Sequence, residues 1–193
     1  MLYDLTQPLT QQSAADVQKQ EPKALVGHLG THFDCMGKPF PLAYTQLPCV
    51  LFDVTKLDKD TEITLADIDA HRLPEGGAAL FYSGHADRFA YGTPQYLHGH
   101  PQLSAALIDA LLEAGCRIIG LDFPGMRRSA EHTPADAKCA RRGCFAVENL
   151  CGLSALPKNE VFTLCTYPMR YEGLSGLPCR VVARTGEDAG ADG

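Results

Sequence analysis

His28-Leu29-Gly30-Thr31-His32-Phe33-Asp34 sets two imidazoles and a carboxylate in one short stretch of a 193-residue chain. Two histidines and an acid are a ligand set of zinc and manganese sites, and a four-residue histidine spacing suits a helix. Gly30-Thr31 argues against a helix, because glycine and a β-branched residue both lower helix propensity. In an extended chain residues 28, 30, 32 and 34 share one face, and Gly30 leaves that face bare between the rings. A straight strand at ~3.3 Å per residue would hold His28 and His32 about 13 Å apart, too far for one ion. A metal site therefore needs a bend, and Gly30 is the natural hinge. Without it, these side chains read as ordinary hydrogen-bonding groups of a loop.

Outward from this stretch, short β-type runs recur at 24–27, 49–54, 78–82, 117–121, 144–147, 161–166 and 180–183. Between two of them, 101–114 places Leu103, Leu107 and Leu111 on one helical face, with Pro101 to open the helix and Gly115 to close it. A second helix is expected from Thr133 as N-cap, with Pro134 in its first turn, to a point before Gly143. Strands outnumber helices without regular βαβ alternation, so the expected class is α/β, a mixed sheet with a few helices. The boundaries expected are one domain over 1–185 and a disordered tail at 186–193; the polar segment 11–23 reads as a mobile surface strap.

Composition narrows the function classes. A net charge of −6 provides no broad positive field, which disfavours nucleic acid and anionic lipid as partners. The longest apolar run is 78–82, far short of the ~20 residues that span a bilayer. The first residues carry an acid and no base, unlike a secretory signal, so a cytoplasmic location is expected. The eight cysteines include no C-x-x-C pair and read as reduced, mostly core thiols. The pair His98 and His100 is a weak metal signal, since His100 stands directly before Pro101 at the expected helix start.

The motif His28-x-Gly30-Thr31-His32-x-Asp34 resembles the signature of the cyclase family of metal-dependent hydrolases, which includes kynurenine formamidases and isatin hydrolases. Further short motifs follow in the family's order: Asp4-Leu5-Thr6-x-Pro8, Leu51-Phe52-Asp53-Val54, Ser83-Gly84 with Arg88, His100-Pro101, Gly120-Leu121-Asp122-x-Pro124, Val147-Glu148-Asn149-Leu150 and Gly176-x-Pro178-x-Arg180. The resemblance implies a swivelling β/β/α domain, one or two divalent ions such as zinc or manganese, a small-molecule substrate and assembly as a dimer or tetramer. It also implies metal ligation by His28, His32, Asp34 and Glu148, with Asp34 able to bridge two ions and Glu148 able to hold or move the proton of the attacking water.

Three departures qualify that picture. Lys38 stands where relatives carry a histidine after the aspartate; as a cation it would stabilise an oxyanion, and as a plain lysine it would be an exposed loop residue. Relatives place a histidine twelve residues before the V-E-N-L glutamate, and here that position is Asp136, with His132 four residues too early. Asp136 reads either as a carboxylate ligand or as an acid favoured by the helix dipole. Ser83-Gly84 leads to His85 rather than an aromatic, and with no tryptophan in the chain the fit to a flat aryl substrate weakens. Phe33, Phe81, His85 and Arg88 are the expected substrate contacts. The expected function is metal-dependent hydrolysis of an amide, lactam or related acyl bond, arylformamidase-like. The rivals are a degenerate metal- or ligand-binding protein on the same scaffold and, more weakly, a dehydrating cyclase.

Overall fold

The computed structural model describes residues 1–8, 10–20, 27–57, 61–158 and 160–186. The strand expected at 24–27 falls outside the described residues except for Gly27, and the expected tail except for Gly186. The strands are β1 (Leu2–Asp4), β2 (His32–Asp34), β3 (Gln46–Asp53), β4 (Glu62–Ile63), β5 (Ala78–Tyr82), β6 (Gln102–Leu103), β7 (Ile118–Leu121), β8 (Phe145–Glu148), β9 (Phe162–Pro168) and β10 (Gly176–Arg184). The α-helices are α1 (Gln11–Gln20), α2 (His85–Arg88), α3 (Pro94–His98), α4 (Ala105–Glu113) and α5 (His132–Arg141). None is long and apolar enough to cross a membrane among the described residues.

The main sheet runs β1-β10-β2-β8-β7-β5-β3-β9, and a further pairing of β9 with β10 closes it into a barrel-like ring. The β3–β5, β5–β7 and β7–β8 pairs are parallel, whereas β2–β8, β10–β2, β10–β9 and β3–β9 are antiparallel, so the sheet is mixed as expected. Strand alternation divides the apolar residues between two cores. Ala78 and Leu80 of β5, Ile118 of β7, and Phe145 and Val147 of β8 fill the inside. Their neighbours Ala79, Phe81, Ile119 and Ala146 face outward and are covered by Leu107, Ile108, Leu111 and Leu112 of α4 and by Cys139 of α5.

Both expected helices form, with different starts. Residues 102–103 pair with β4 as β6, so α4 begins after Ser104, whose Oγ accepts from Leu107 N–H at 3.1 Å. A serine cap satisfies an orphan donor, which Pro101 cannot do. The α5 helix starts at His132 rather than after Thr133, continuing a 3₁₀ turn over Ser129–Glu131. The expected strap at 11–23 is helical over α1, held down by buried Val17 against Tyr91 and Tyr96, while 21–23 lie outside the described residues. An anchoring valine in an otherwise polar segment gives little sequence periodicity, so the sequence alone reads as a strap rather than a helix.

Candidate metal centre

The site starts from strand register. β2 lies antiparallel to β8 with His32 directly opposite Glu148. Alternation sends His32 and Asp34 to the outer face and Phe33 to the inner core. Gly30 adopts φ +70°, a left-handed turn that glycine takes without a Cβ penalty, and the chain folds back there. The expected hinge is thus present. It brings His28 Nδ1 to 3.2 Å from His32 Nε2 and 3.0 Å from Asp34 Oδ1.

Helix α5 contributes the other half. His132 and Asp136 are four residues apart on it and share a face, with His132 Nε2 at 3.2 Å from Asp136 Oδ2 and 3.1 Å from Glu148 Oε1. Gly125 leaves room for the His132 ring, since a Cβ there would stand 3.1 Å from its Cε1. The donor atoms form two sets, His28–His32–Asp34 and Asp34–His132–Asp136–Glu148, each lying within 4.8 Å of one another and sharing Asp34. Sequence spacing alone puts His132 four residues before the position where relatives carry a histidine. The helix corrects this, because a shift of four residues along a helix returns to the same face. The signal in the sequence was the H-x-x-x-D pattern at the start of a helix.

The family model described as "Putative cyclase" matches residues 3–127. The chain belongs to the cyclase family. The matched segment carries His28, His32 and Asp34 and ends before His132, Asp136 and Glu148. No curated protein matches the sequence. Among solved structures, a predicted metal-dependent hydrolase from Bacillus stearothermophilus is similar over 95% of this chain and 97% of its own, at 22% identity and TM-score 0.75. A potential metal-dependent hydrolase with cyclase activity is similar over 95% and 98%, at 24% identity and TM-score 0.75. Isatin hydrolase A from Labrenzia aggregata is similar over 80% and 72%, at 24% identity and TM-score 0.68. These likenesses establish a shared fold.

In this cyclase-family chain the ligand rings are held from behind. His32 Nδ1–H donates to Gly30 O at 2.9 Å, which turns Nε2 towards the acids. Asn149 Nδ2 donates to the same carbonyl at 3.0 Å, and Tyr96 O–H donates to Asn149 Oδ1 at 2.9 Å. Tyr91 O–H accepts from Gly30 N–H at 2.7 Å, and Ser175 Oγ bonds His28 Nε2 at 2.8 Å. Such outer contacts fix tautomer and ring orientation in metal sites.

The electrostatics suit a cation at the carboxylates. Burial lifts Asp136 and Glu148 above the usual carboxylate range, and the neighbouring Asp34 charge lifts both further. The Glu148 charge draws His132 up to about 10 against the opposing effect of burial. Burial alone would raise Asp34, but the His32 charge and the hydrogen bond from His28 bring it down to about 2. Asp34 Oδ2 and Asp136 Oδ1 are buried with no hydrogen-bond partner among the described residues. Buried carboxylate oxygens without a hydrogen bond are costly, and a cation satisfies them. The donor set therefore fits a divalent metal. Asp136 is in the second turn of α5, where the dipole has largely faded, which weakens the competing helix explanation for it.

The donors open on a cleft of about 580 Å³, also lined by Val17, Met36, Tyr91, Leu97, His100 and Arg128. The expected substrate contacts are elsewhere. Phe33 packs on Phe40 inside the barrel, and Phe81 packs on Phe52 under α4. Alternation tells which residues share a face, but not which face carries the site. His85 is fully buried, with Nε2 bonded to Tyr96 O at 2.9 Å, and Arg88 turns back to the carbonyls of Ser83 and Gly84 at 3.0 Å. Lys38 is exposed and lines a separate groove with Phe40, Met169 and Tyr171. The turn Cys35–Met36–Gly37, tied to Ser175 O and Leu174 O, carries it away from the metal donors.

Proposed function

We propose that the protein is a divalent-metal-dependent hydrolase that opens an amide, lactam or related acyl carbon–nitrogen bond in a small molecule, in the manner of arylformamidases. The observation that carries this reading is the pair of donor sets sharing Asp34 at the floor of a cleft of about 580 Å³, a size typical of small-molecule sites. His28, His32 and Asp34 would hold one ion; Asp34, His132, Asp136 and Glu148 would hold a second. The first set, richer in nitrogen, suits zinc, and the carboxylate-rich second set suits a harder ion such as manganese. A bound divalent ion supplies Lewis acidity for the acyl carbonyl and lowers the pKa of water from 15.7 towards ~7.

The chain's own groups do the rest. Glu148 lies opposite His32 and within hydrogen-bond reach of His132, so it can take the proton of the attacking water and pass it to the leaving nitrogen. The bonds from Gly30, Asn149 and Ser175 hold the ligand rings still during this exchange. The test is elemental analysis of chelator-free protein, then turnover of aryl formamides and lactams before and after chelation and reloading. Metal-dependent, reversible turnover is the expected result. Protein that takes up no ion above surface background would end the hydrolase reading.

A further inference from the structure

One wall of the cleft carries two adjacent arginines used in different ways. Arg127 is committed within the fold: Nη1 donates to Glu62 Oε1 at 2.6 Å and to Leu103 O at 2.7 Å, and Nε donates to Glu131 Oε2 at 3.0 Å. Arg128 lines the cleft, half-buried, and its guanidinium has no hydrogen-bond or ion-pair partner among the described residues. Its backbone is nevertheless anchored. Arg128 N–H donates to Gln102 Oε1 at 3.2 Å, and Gln102 Nε2 donates to Glu62 Oε1 at 3.1 Å, the carboxylate that also holds Arg127. Ser129, the next residue, also lines the cleft and sits at φ +54°, a conformation that non-glycine residues adopt mainly where the surroundings impose it.

His100 lines the same cleft, with its ring stacked on Phe123 at 5.7 Å. Its Nδ1 lies 2.7 Å from Pro101 O. A carbonyl only accepts, so the hydrogen is on Nδ1 and Nε2 keeps a free lone pair. Burial brings this ring down to about 4, and the charges of Arg128 and His132 push the same way, so it is neutral at physiological pH. The wall thus offers one cation on an anchored backbone and one acceptor, beside the cluster of metal donors.

We propose that this wall selects acids: Arg128 grips a carboxylate on the N-acyl compound or lactam being hydrolysed, and His100 Nε2 accepts a hydrogen bond from the same molecule's N–H. A guanidinium and a carboxylate match in a two-bond fork, and such charge-assisted pairs are among the stronger polar contacts. A neutral analogue would leave the Arg128 guanidinium as it is now, partly desolvated and with no partner among the described residues. The acyl part of this assignment rests on the hydrolase reading, whereas the carboxylate anchor is measured by binding, apart from turnover.

The experiment is calorimetric titration of the metal-loaded protein with two matched pairs: N-formylanthranilate against formanilide, and N-acetylalanine against N-acetylalaninamide. The carboxylate of at least one pair should bind about 10- to 100-fold tighter than its neutral partner. Arg128→Gln should collapse that ratio to near one with metal content unchanged, and Arg128→Lys should keep part of it, which also shows that the fold survives. His100→Phe, which preserves the stack, should weaken both members of a pair alike; unchanged affinities would remove His100 from the site. Equal binding within both pairs, or no binding of either carboxylate, overturns the anchor. So does a preference that survives Arg128→Gln, since it would then belong to the metals. Selective binding without turnover would sink the hydrolase reading and keep the anchor; turnover without selectivity would do the reverse.

Discussion

Asp136→Asn should change the sign of its effect on stability according to whether metal is bound. In the metal-free protein Asp136 is buried, with Oδ1 unpartnered, and burial together with the Asp34 and Glu148 charges raises its pKa. A carboxyl raised in the folded state costs stability as pH climbs above its unfolded value of ~3.9, because the unfolded chain then gives up its proton more readily. An amide of the same shape removes that cost. The gain is bounded by the penalty of a buried unsatisfied polar group, about 1–3 kcal/mol. For a chain of this length that corresponds to a rise in Tm of roughly 2–12 °C in chelator at neutral pH, fading as pH approaches ~4. With metal the order reverses. Loss of a carboxylate donor that weakens the second ion tenfold removes about 1.4 kcal/mol of ligand-linked stability at fixed metal concentration. Melting curves of wild type and variant in chelator, and then in saturating zinc or manganese, read beside metal stoichiometry, make the comparison. The same sign of shift under both conditions, or a second equivalent kept at wild-type affinity, would refute the reasoning.

His132→Ala should lose one metal equivalent while the His28–His32–Asp34 set keeps the other; elemental analysis showing both retained would remove His132 as a ligand. Because Glu148 draws His132 up to about 10, that ring is protonated at neutral pH without metal, and loading the second set must displace its proton. Apparent affinity should therefore rise with pH up to that range, and titration heats should vary with buffer ionisation enthalpy; heats independent of buffer would contradict this. Glu148→Gln should lower turnover by about 10² to 10⁴-fold while the first ion stays bound, and an unchanged rate would take Glu148 out of the mechanism. Phe33→Ala, deep in the barrel, should cost about 3–5 kcal/mol in a denaturant titration. A change in KM without that loss would return Phe33 to the substrate site.

The legible part of the site was its local part. His28, His32 and Asp34 lie within one turn of chain, and Gly30 supplies the only bend they need, so residue types and spacing were enough to bring them together. The strand runs were equally readable, since 49–54, 78–82, 117–121 and 144–147 each became part of a strand of the sheet. Their alternation shows that two faces exist. It does not show which face is enclosed, and Phe33 and Phe81 could be placed in the core only once the β9–β10 pairing closed the ring.

Everything that joins distant segments needed the tertiary structure. Glu148 faces His32 because backbone hydrogen bonds set the register of β2 on β8, and a slip of one residue would turn Glu148 into the barrel. His132 enters with Asp136 because α5 begins at His132 and docks over β8, a helical phase that follows from packing rather than propensity. The difference between Arg127 and Arg128 is of the same kind. By itself the sequence determined the metal motif, the strand pattern and the family resemblance, all of which depend on neighbours along the chain. The tertiary structure alone decided the second donor set, the inner and outer faces, and the cleft arginine whose guanidinium has no partner among the described residues, because those depend on which remote carboxylates come within a few ångströms.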